Sequence, residues 1–227
     1  MSELDEPEDP SDIWYACPPD EVPAYRMLMQ GDVVVLDSGP VCVVSHACSM
    51  RRGVGLHPTQ IVAPVLERTN TLWRGDYDWM PLPELAMAEV RAVAASLREL
   101  SSVATADLET GRRVASMSEV GIQLLQQRMA HHLTRVSIEL TTLAEHSAPV
   151  LMEVNLHEEW VEALGEDSEP DFHAFLDADD RRLRKLMLEP QTRFNAQSVV
   201  RQEIKRRRRA PRRERLAGED ATARDGG

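Results

Sequence analysis

No run of about 18 consecutive apolar residues occurs in the chain, so the sequence offers nothing to serve as a membrane-spanning helix. The first residues are no better suited to secretion: Glu3, Asp5, Glu6, Glu8, Asp9 and Asp12 stand where a signal peptide is basic and then apolar. Cysteine is scarce. Cys17, Cys42 and Cys48 are an odd number in a chain too long to depend on a disulfide framework, which favours a reducing compartment. These absences point to a cytoplasmic protein with no membrane partner. Lysine is nearly missing, with Lys185 and Lys205 the only two, a bias that a GC-rich bacterial genome produces without any chemical demand for arginine. A Gly-rich phosphate loop, a nucleophile elbow, an HExxH helix and a paired CxxC are also lacking. That excludes the most readable enzymes and leaves those whose signature is geometric.

What is present suits a folded body. Of 227 residues, 42% are hydrophobic and 28% charged, and a chain of this length buries a core without disulfides. Charge is unevenly placed: residues 201–215 hold nine basic side chains against Glu203 and Glu214, while residues 1–200 carry a net −17. An acidic body thus ends in a basic tail.

Residues 1–25 combine acids with Pro7, Pro10, Pro18, Pro19 and Pro23, the composition of a disordered lead. Trp14 and Tyr15 interrupt it and are expected to dock on the body or, as the alternative, on a partner. From Gln30 the texture changes to short β-branched runs between turn signals: Val33 to Leu36, Val41 to His46, Gln60 to Val65 and Tyr77 to Leu82. Four or five such strands predict a small barrel or strongly bent sheet. Ala86, Val90, Val93, Leu97 and Leu100 then recur at helical spacing, which predicts a helix ending near Ser101. Val103 to Met117 reads as a strand pair. Ser118 is the N-cap of a second helix with Leu125, Met129, Leu133, Val136 and Leu140 inward. Ala148-Pro149 reads as a break before a helix over 151–164. Ser168-Glu169-Pro170 opens another, which runs through Met187, and a last one with Phe194, Val199 or Val200, and Ile204 inward ends at Pro211. The expected organisation is a lead over 1–25, a barrel with associated helices over 26–145, a helical extension over 150–204 and a disordered basic tail over 205–227.

The densest reactive cluster is Cys42, Ser45, His46 and Cys48, with His57 nine residues further on. Alternation on a strand puts Cys42, His46 and Cys48 on one face, and with His57 they would supply four zinc ligands. The same residues would also serve as a Cys and His nucleophile pair, or simply close a strand, cysteine being commonly buried as a small hydrophobe. On the second long helix, Arg128, His131, His132 and Arg135 form a positive stripe that reads equally as a phosphate-facing surface or a solvated edge. Lys205, Arg206, Arg207, Arg208, Arg209, Arg212 and Arg213 would neutralise RNA or DNA phosphates without reading sequence, dock on the acidic body of another copy, or remain a solvated tail.

Gln30-Gly31-Asp32-Val33-Val34-Val35-Leu36-Asp37, then Gly39-Pro40-Val41-Cys42-Val43-Val44-Ser45, then Ile61-Val62-Ala63-Pro64-Val65, resembles the core strands of the MazF and PemK toxins. The resemblance covers residues 30–66. It implies a bacterial SH3-like barrel carrying ribonuclease activity. Members of that family have an Arg before the Pro of the second strand and a Ser or Thr after the Ala-Pro, where this chain has Gly39 and Val65. Arg and hydroxyl groups stabilise charge on a phosphodiester, so the departure weighs against catalysis at those places. The expected fold is α+β, a small SH3-like β-barrel followed by a mostly helical C-terminal region. The expected function is a non-enzymatic binding or regulatory protein acting through a protein partner, a second copy or a nucleic acid. Two alternatives stand beside it. One is a toxin-type endoribonuclease using Ser45, His46, Arg51, Arg52 and His57. The other is a zinc protein built on Cys42, His46, Cys48 and His57.

Overall fold

The computed structural model describes residues 4–17, 22–52, 55–68, 73–85, 93–178 and 183–224. They form two compact units, Met1–Val150 and Leu151–Gly227. The first is built on β1 (Trp14–Ala16), β2 (Val33–Leu36), β3 (Gly39–Val43), the single turn α1 (Ala47–Met50), β4 (Arg51–Arg52), β5 (Gly55–Leu56) and β6 (Thr59–Glu67). There follow β7 (Trp79–Leu82), β8 (Val93–Ser96), β9 (Ser101–Ala104), α2 (Thr105–Thr110), β10 (Arg112–Met117) and α3 (Glu119–Thr134). The boundary between the units falls inside α4 (Leu140–Leu164), and the second unit continues with α5 (Glu169–Asp177), α6 (Leu183–Leu188) and α7 (Arg193–Arg224).

The main sheet is antiparallel in the order β1-β10-β2-β3-β6-β8-β7, and it curls as a half-barrel. β6 makes the curl. One edge pairs with β3 through Val62 to Pro64, while the other pairs with β9 over Thr59 to Val62 and with β8 over Val65 to Glu67. Pro64 falls between those two partners on the second edge, where its missing N–H interrupts neither ladder. The hairpin of β2 and β3 turns at Asp37-Ser38, and its valines feed a core of Leu28, Val34, Val41, Val43, Met50, Val62 and Leu108. Cys42, between two of them, is equally buried. Cover on both faces is why β3 reads as a continuous apolar run instead of an alternating one.

The lead expected to be disordered is partly built into this unit. Pro10–Ile13 form a 3₁₀ turn capped by Asp9, and β1 pairs with β10. Trp14 docks on the body as expected, its Nε1–H donating to the carbonyl of Pro83 at 2.7 Å. Ser118 caps α3 as read, its Oγ accepting from the N–H of Gly121 at 3.2 Å. A Cβ at Gly121 would lie 2.2 Å from the carbonyl oxygen of Ile13, so only glycine allows that close approach.

Other expectations need correction. Ala86 and Val90 lie outside the described residues. From Val93 on, the expected helix is instead β8, a turn and β9. Val93, Ala94, Ala95, Ser96 and Leu97 are all buried, so the apolar spacing came from a strand covered on both sides and not from one helical face. The strand pair expected over 103–117 has α2 in its middle. Pro149 does not break the chain but sits inside α4, at the cost of one intrahelical bond. On α3, Leu133 is exposed, as is Val136 just beyond it; the inward residues are Ile122, Leu124, Leu125, Arg128 and His131.

In the second unit Trp160 is fully buried between Phe172 and Phe175, with ring centroids 5.6 and 5.5 Å away. Leu183, Met187, Ala196, Val200 and Ile204 are buried on the helices that follow, whereas Phe194 is 76% exposed. The helix expected to run from Glu169 through Met187 is divided into α5 and α6. α7 passes through Pro211, so the tail expected to be disordered is helical over 205–224.

Candidate functional site

β3 ends at Val43, so His46 and Cys48 are not on a strand and do not share a face with Cys42 by alternation. Ser45 is buried, and its Oγ accepts the N–H of Ile61 at 2.7 Å. The N–H groups of Val44 and Ser45 both donate to the Ile61 carbonyl, at 3.0 and 3.1 Å. The Ser45 hydroxyl thus closes the ladder at the point where the strand ends. His46 is the N-cap of α1, its Nδ1 accepting the N–H of Cys48 at 3.2 Å. Partial burial, and then repulsion from His146, holds its pKa below the ordinary histidine value. Both the cap and the shift favour a neutral ring.

Cys42 is fully buried, and burial, followed by the charge of Asp32, pushes its thiol up to about 12. A thiol so shifted is neither a nucleophile nor a ready metal ligand at neutral pH. Cys48 is exposed. Arg51 places Nη2 2.8 Å from the Sδ of Met27. The backbone of Arg52 pairs with Gly55, and its side chain lies outside the described ones. His57 has an exposed side chain and works through its backbone: its N–H donates to Met50 at 2.6 Å, and its carbonyl accepts from Gln60 Nε2 at 3.1 Å and from Thr105 Oγ at 2.5 Å. Buried Gln60, which also donates to the Met50 carbonyl at 3.2 Å, is the hub of that turn. Sequence spacing gave no signal for it. Among the described residues, Cys42, His46, Cys48 and His57 do not bring their ligand atoms together as a set.

The positive stripe on α3 is divided by its surroundings. Arg128 is fully buried, with its guanidinium donating to the carbonyls of Trp79 at 2.8 Å, Asp76 at 3.3 Å and Trp73. His131 packs edge-on against Tyr77, with centroids 4.9 Å apart. His132 Nδ1 lies 2.7 Å from Asp78 Oδ1, and Arg135 closes the helix in the left-handed region. A groove of about 650 Å³, with Asp37, Ser38, Asp107 and Arg112 among its walls, is lined by none of the candidate residues.

On α7 the basic residues fall into two groups. Glu203, buried and held at about 2 chiefly by its hydrogen bond from Arg206, pairs with Arg206 and Arg207. Arg207 also pairs with Asp171 and lies 4.8 Å from the Trp160 ring centroid. Lys205, Arg208 and Arg209 are exposed and make no ion pair among the described residues. The side chains of Arg212 and Arg213 lie outside the described ones.

A further group escaped the sequence reading. His157 on α4, with Glu169 and His173 on α5, bring one potential ligand atom each within 4.8 Å of one another. The available signal was the i, i+4 pair Glu169 and His173 on a helix marked by Pro170.

No family model matches the chain, and no curated protein matches it. Among solved structures, one described as an endoribonuclease from a mycobacterial species is 13% identical, with 47% of this chain and 90% of that one covered at a TM-score of 0.34. That likeness is loose.

Proposed function

We propose that this chain is a non-enzymatic binding protein that engages nucleic acid through α7. The observation that carries the reading is the placement of Lys205, Arg208 and Arg209. They stand at i, i+3 and i+4, so they share one helical face, and they are exposed without ion pairs among the described residues. Their neighbours Arg206 and Arg207 are instead spent on Glu203 and Asp171. A cationic face on a helix contacts phosphates and carries no base readout, so binding of this kind is insensitive to sequence and sensitive to salt. The non-enzymatic part rests on Ser45 and His46, whose hydroxyl and ring nitrogen hold the end of a strand and the start of a turn. Residues 1–200 carry a net −17, so the basic side chains of α7 belong to an otherwise acidic chain.

Fluorescence anisotropy of labelled single-stranded RNA and duplex DNA, titrated with the full chain across a salt series, tests the proposal. A variant carrying Lys205→Glu, Arg208→Glu and Arg209→Glu should bind at least about tenfold more weakly and flatten the log–log salt slope by about 2 to 3. Wild-type affinity in that variant, with helix content intact by circular dichroism, would overturn the role of α7. Cleavage of the RNA that disappears on Ser45→Ala or His57→Ala would overturn the non-enzymatic reading.

A further inference from the structure

We propose that His157, Glu169 and His173 form a binding site for a divalent transition-metal ion of the zinc class, which clips α5 to α4. Three observations converge on it. The ligand atoms of the three residues lie within 4.8 Å of one another, and His157 Nε2 is 3.7 Å from Glu169 Oε1. Tetrahedral zinc, with bonds of about 2.0 to 2.2 Å, spaces its ligands roughly 3.3 to 3.5 Å apart. The His157 and Glu169 pair is therefore nearly at that spacing, and a small side-chain adjustment on α5 completes it. Glu169 is half-exposed at 52% and His173 only half-buried, so the α5 side of the site has room to move and a path for the ion.

The fixed side of the site is His157. It is fully buried, packed edge-on against Phe172 with centroids 5.2 Å apart and stacked on His173 at 5.9 Å, with 28° between the ring planes. Trp160, one turn further along α4, packs on Phe172 and donates its Nε1–H to the carbonyl of Ser168 at 3.0 Å. That bond holds the start of α5 where Glu169 enters the site. Around a metal site such a hydrophobic shell controls solvent access and dielectric.

The donor set decides the class of ion. Two imidazoles and one carboxylate suit zinc and its transition-metal neighbours, whereas magnesium and calcium take oxygen ligands. Three protein ligands leave the fourth position for water. The set is separate from Cys42, His46, Cys48 and His57 and does not depend on the nucleic-acid reading. A nine-residue helix such as α5 is marginal on its own, so a bridge to α4 would stabilise it.

The full chain, freed of metal with a chelator that is then dialysed away, is titrated with zinc chloride against a chromogenic indicator and separately with cobalt chloride. The wild type should bind one equivalent, give a tetrahedral cobalt spectrum without a thiolate charge-transfer band, and gain thermal stability with zinc. His173→Ala and Glu169→Gln, both on the more exposed side and checked for helix content, should each weaken zinc binding at least about tenfold and lose the thermal gain. A control with His46→Ala and Cys48→Ser should bind as the wild type does. Failure of the wild type to compete with the indicator, a thiolate band, or unchanged affinity in both α5 variants would overturn the site.

Discussion

The Oγ–H of Ser116 on β10 donates to Oδ1 of Asp32 at 2.7 Å, a bond between two residues that exclude water almost completely. The other oxygen of Asp32 accepts the N–H of Met29 at 2.9 Å, and Arg113 Nε stands 3.5 Å away. The carboxylate therefore ties the turn entering β2 to the strand that pairs with it. Asp32→Ala should cost about 3 kcal/mol, since it strands two buried donors and removes the carboxylate beside the half-buried Arg113, while Ser116→Ala should cost about 1 to 2 kcal/mol. Urea denaturation measures both. A loss below about 1 kcal/mol for Asp32→Ala would show that Arg113, which also donates to the Arg26 carbonyl at 2.8 Å, is satisfied without it.

Cys42 supplies a pH dependence on the alkaline side. Its folded thiol is raised to about 12, from an ordinary value of 9.0, by burial and by Asp32. The folded state keeps the proton that the unfolded state releases. The resulting stabilisation is fully present below pH 9, and it is lost as pH rises from there through about 12. A Cys42→Ala variant should lose stability less steeply over that range. Alkylation with iodoacetamide checks the same burial by another route: exposed Cys48 should react in the native protein, and Cys42 only in denaturant.

The hairpin from Val33 to Val43 and strand β6 were legible because β-branched runs bounded by Gly, Asp and Pro have few other uses. Ser118 was legible for a similar reason, as a local cap with a local signal. The stretch after Val93 was not, because Ala94 and Ala95 are buried on both sides and carry no alternation to distinguish a strand from a helix. The site residues were harder still. Ser45 and His46 were found as chemically capable groups, but which hydrogen bonds occupy them depends on Ile61 and on the turn at Cys48. In the case of His157, Glu169 and His173, the juxtaposition arises from two helices packing together, and only the i, i+4 half of it is written in the chain.

Glu203 supplies the acid-side counterpart. Hydrogen bonds and charge from Arg206 and Arg207 hold its carboxyl at about 2, against an ordinary value of 4.5. Its folded pKa is depressed, so the stabilisation is present above pH 4.5 and lost as pH falls from there through about 2. Circular dichroism at the helix band during acid titration should show α7 weakening over that window. Glu203→Gln should remove the dependence and lower the melting temperature at neutral pH. An unchanged acid profile in the variant would mean that the pair with Asp171 alone holds Arg207.

Arg128 provides the sharpest test of how the helix edge was rebuilt by its surroundings. Its guanidinium, fully buried and lowered to about 10 mainly by that burial, reaches three carbonyls of the segment between Trp73 and Trp79 and lies 5.0 Å from the Trp73 ring centroid. It keeps its charge at neutral pH because a pKa near 10 still lies well above it. Arg128→Met matches the stem but leaves those carbonyls without a donor in a site closed to water, and should cost about 3 kcal/mol. Arg128→Lys should recover little of this, because one ammonium cannot span the fork that a planar guanidinium presents. Urea denaturation measures the loss, and tryptophan emission reports whether Trp73 and Trp79 are released. The same variants, assayed for nucleic acid where still folded, should bind with wild-type affinity and salt slope, because Arg128 faces carbonyls and not phosphate. A weakened salt slope in Arg128→Met would return α3 to the binding surface.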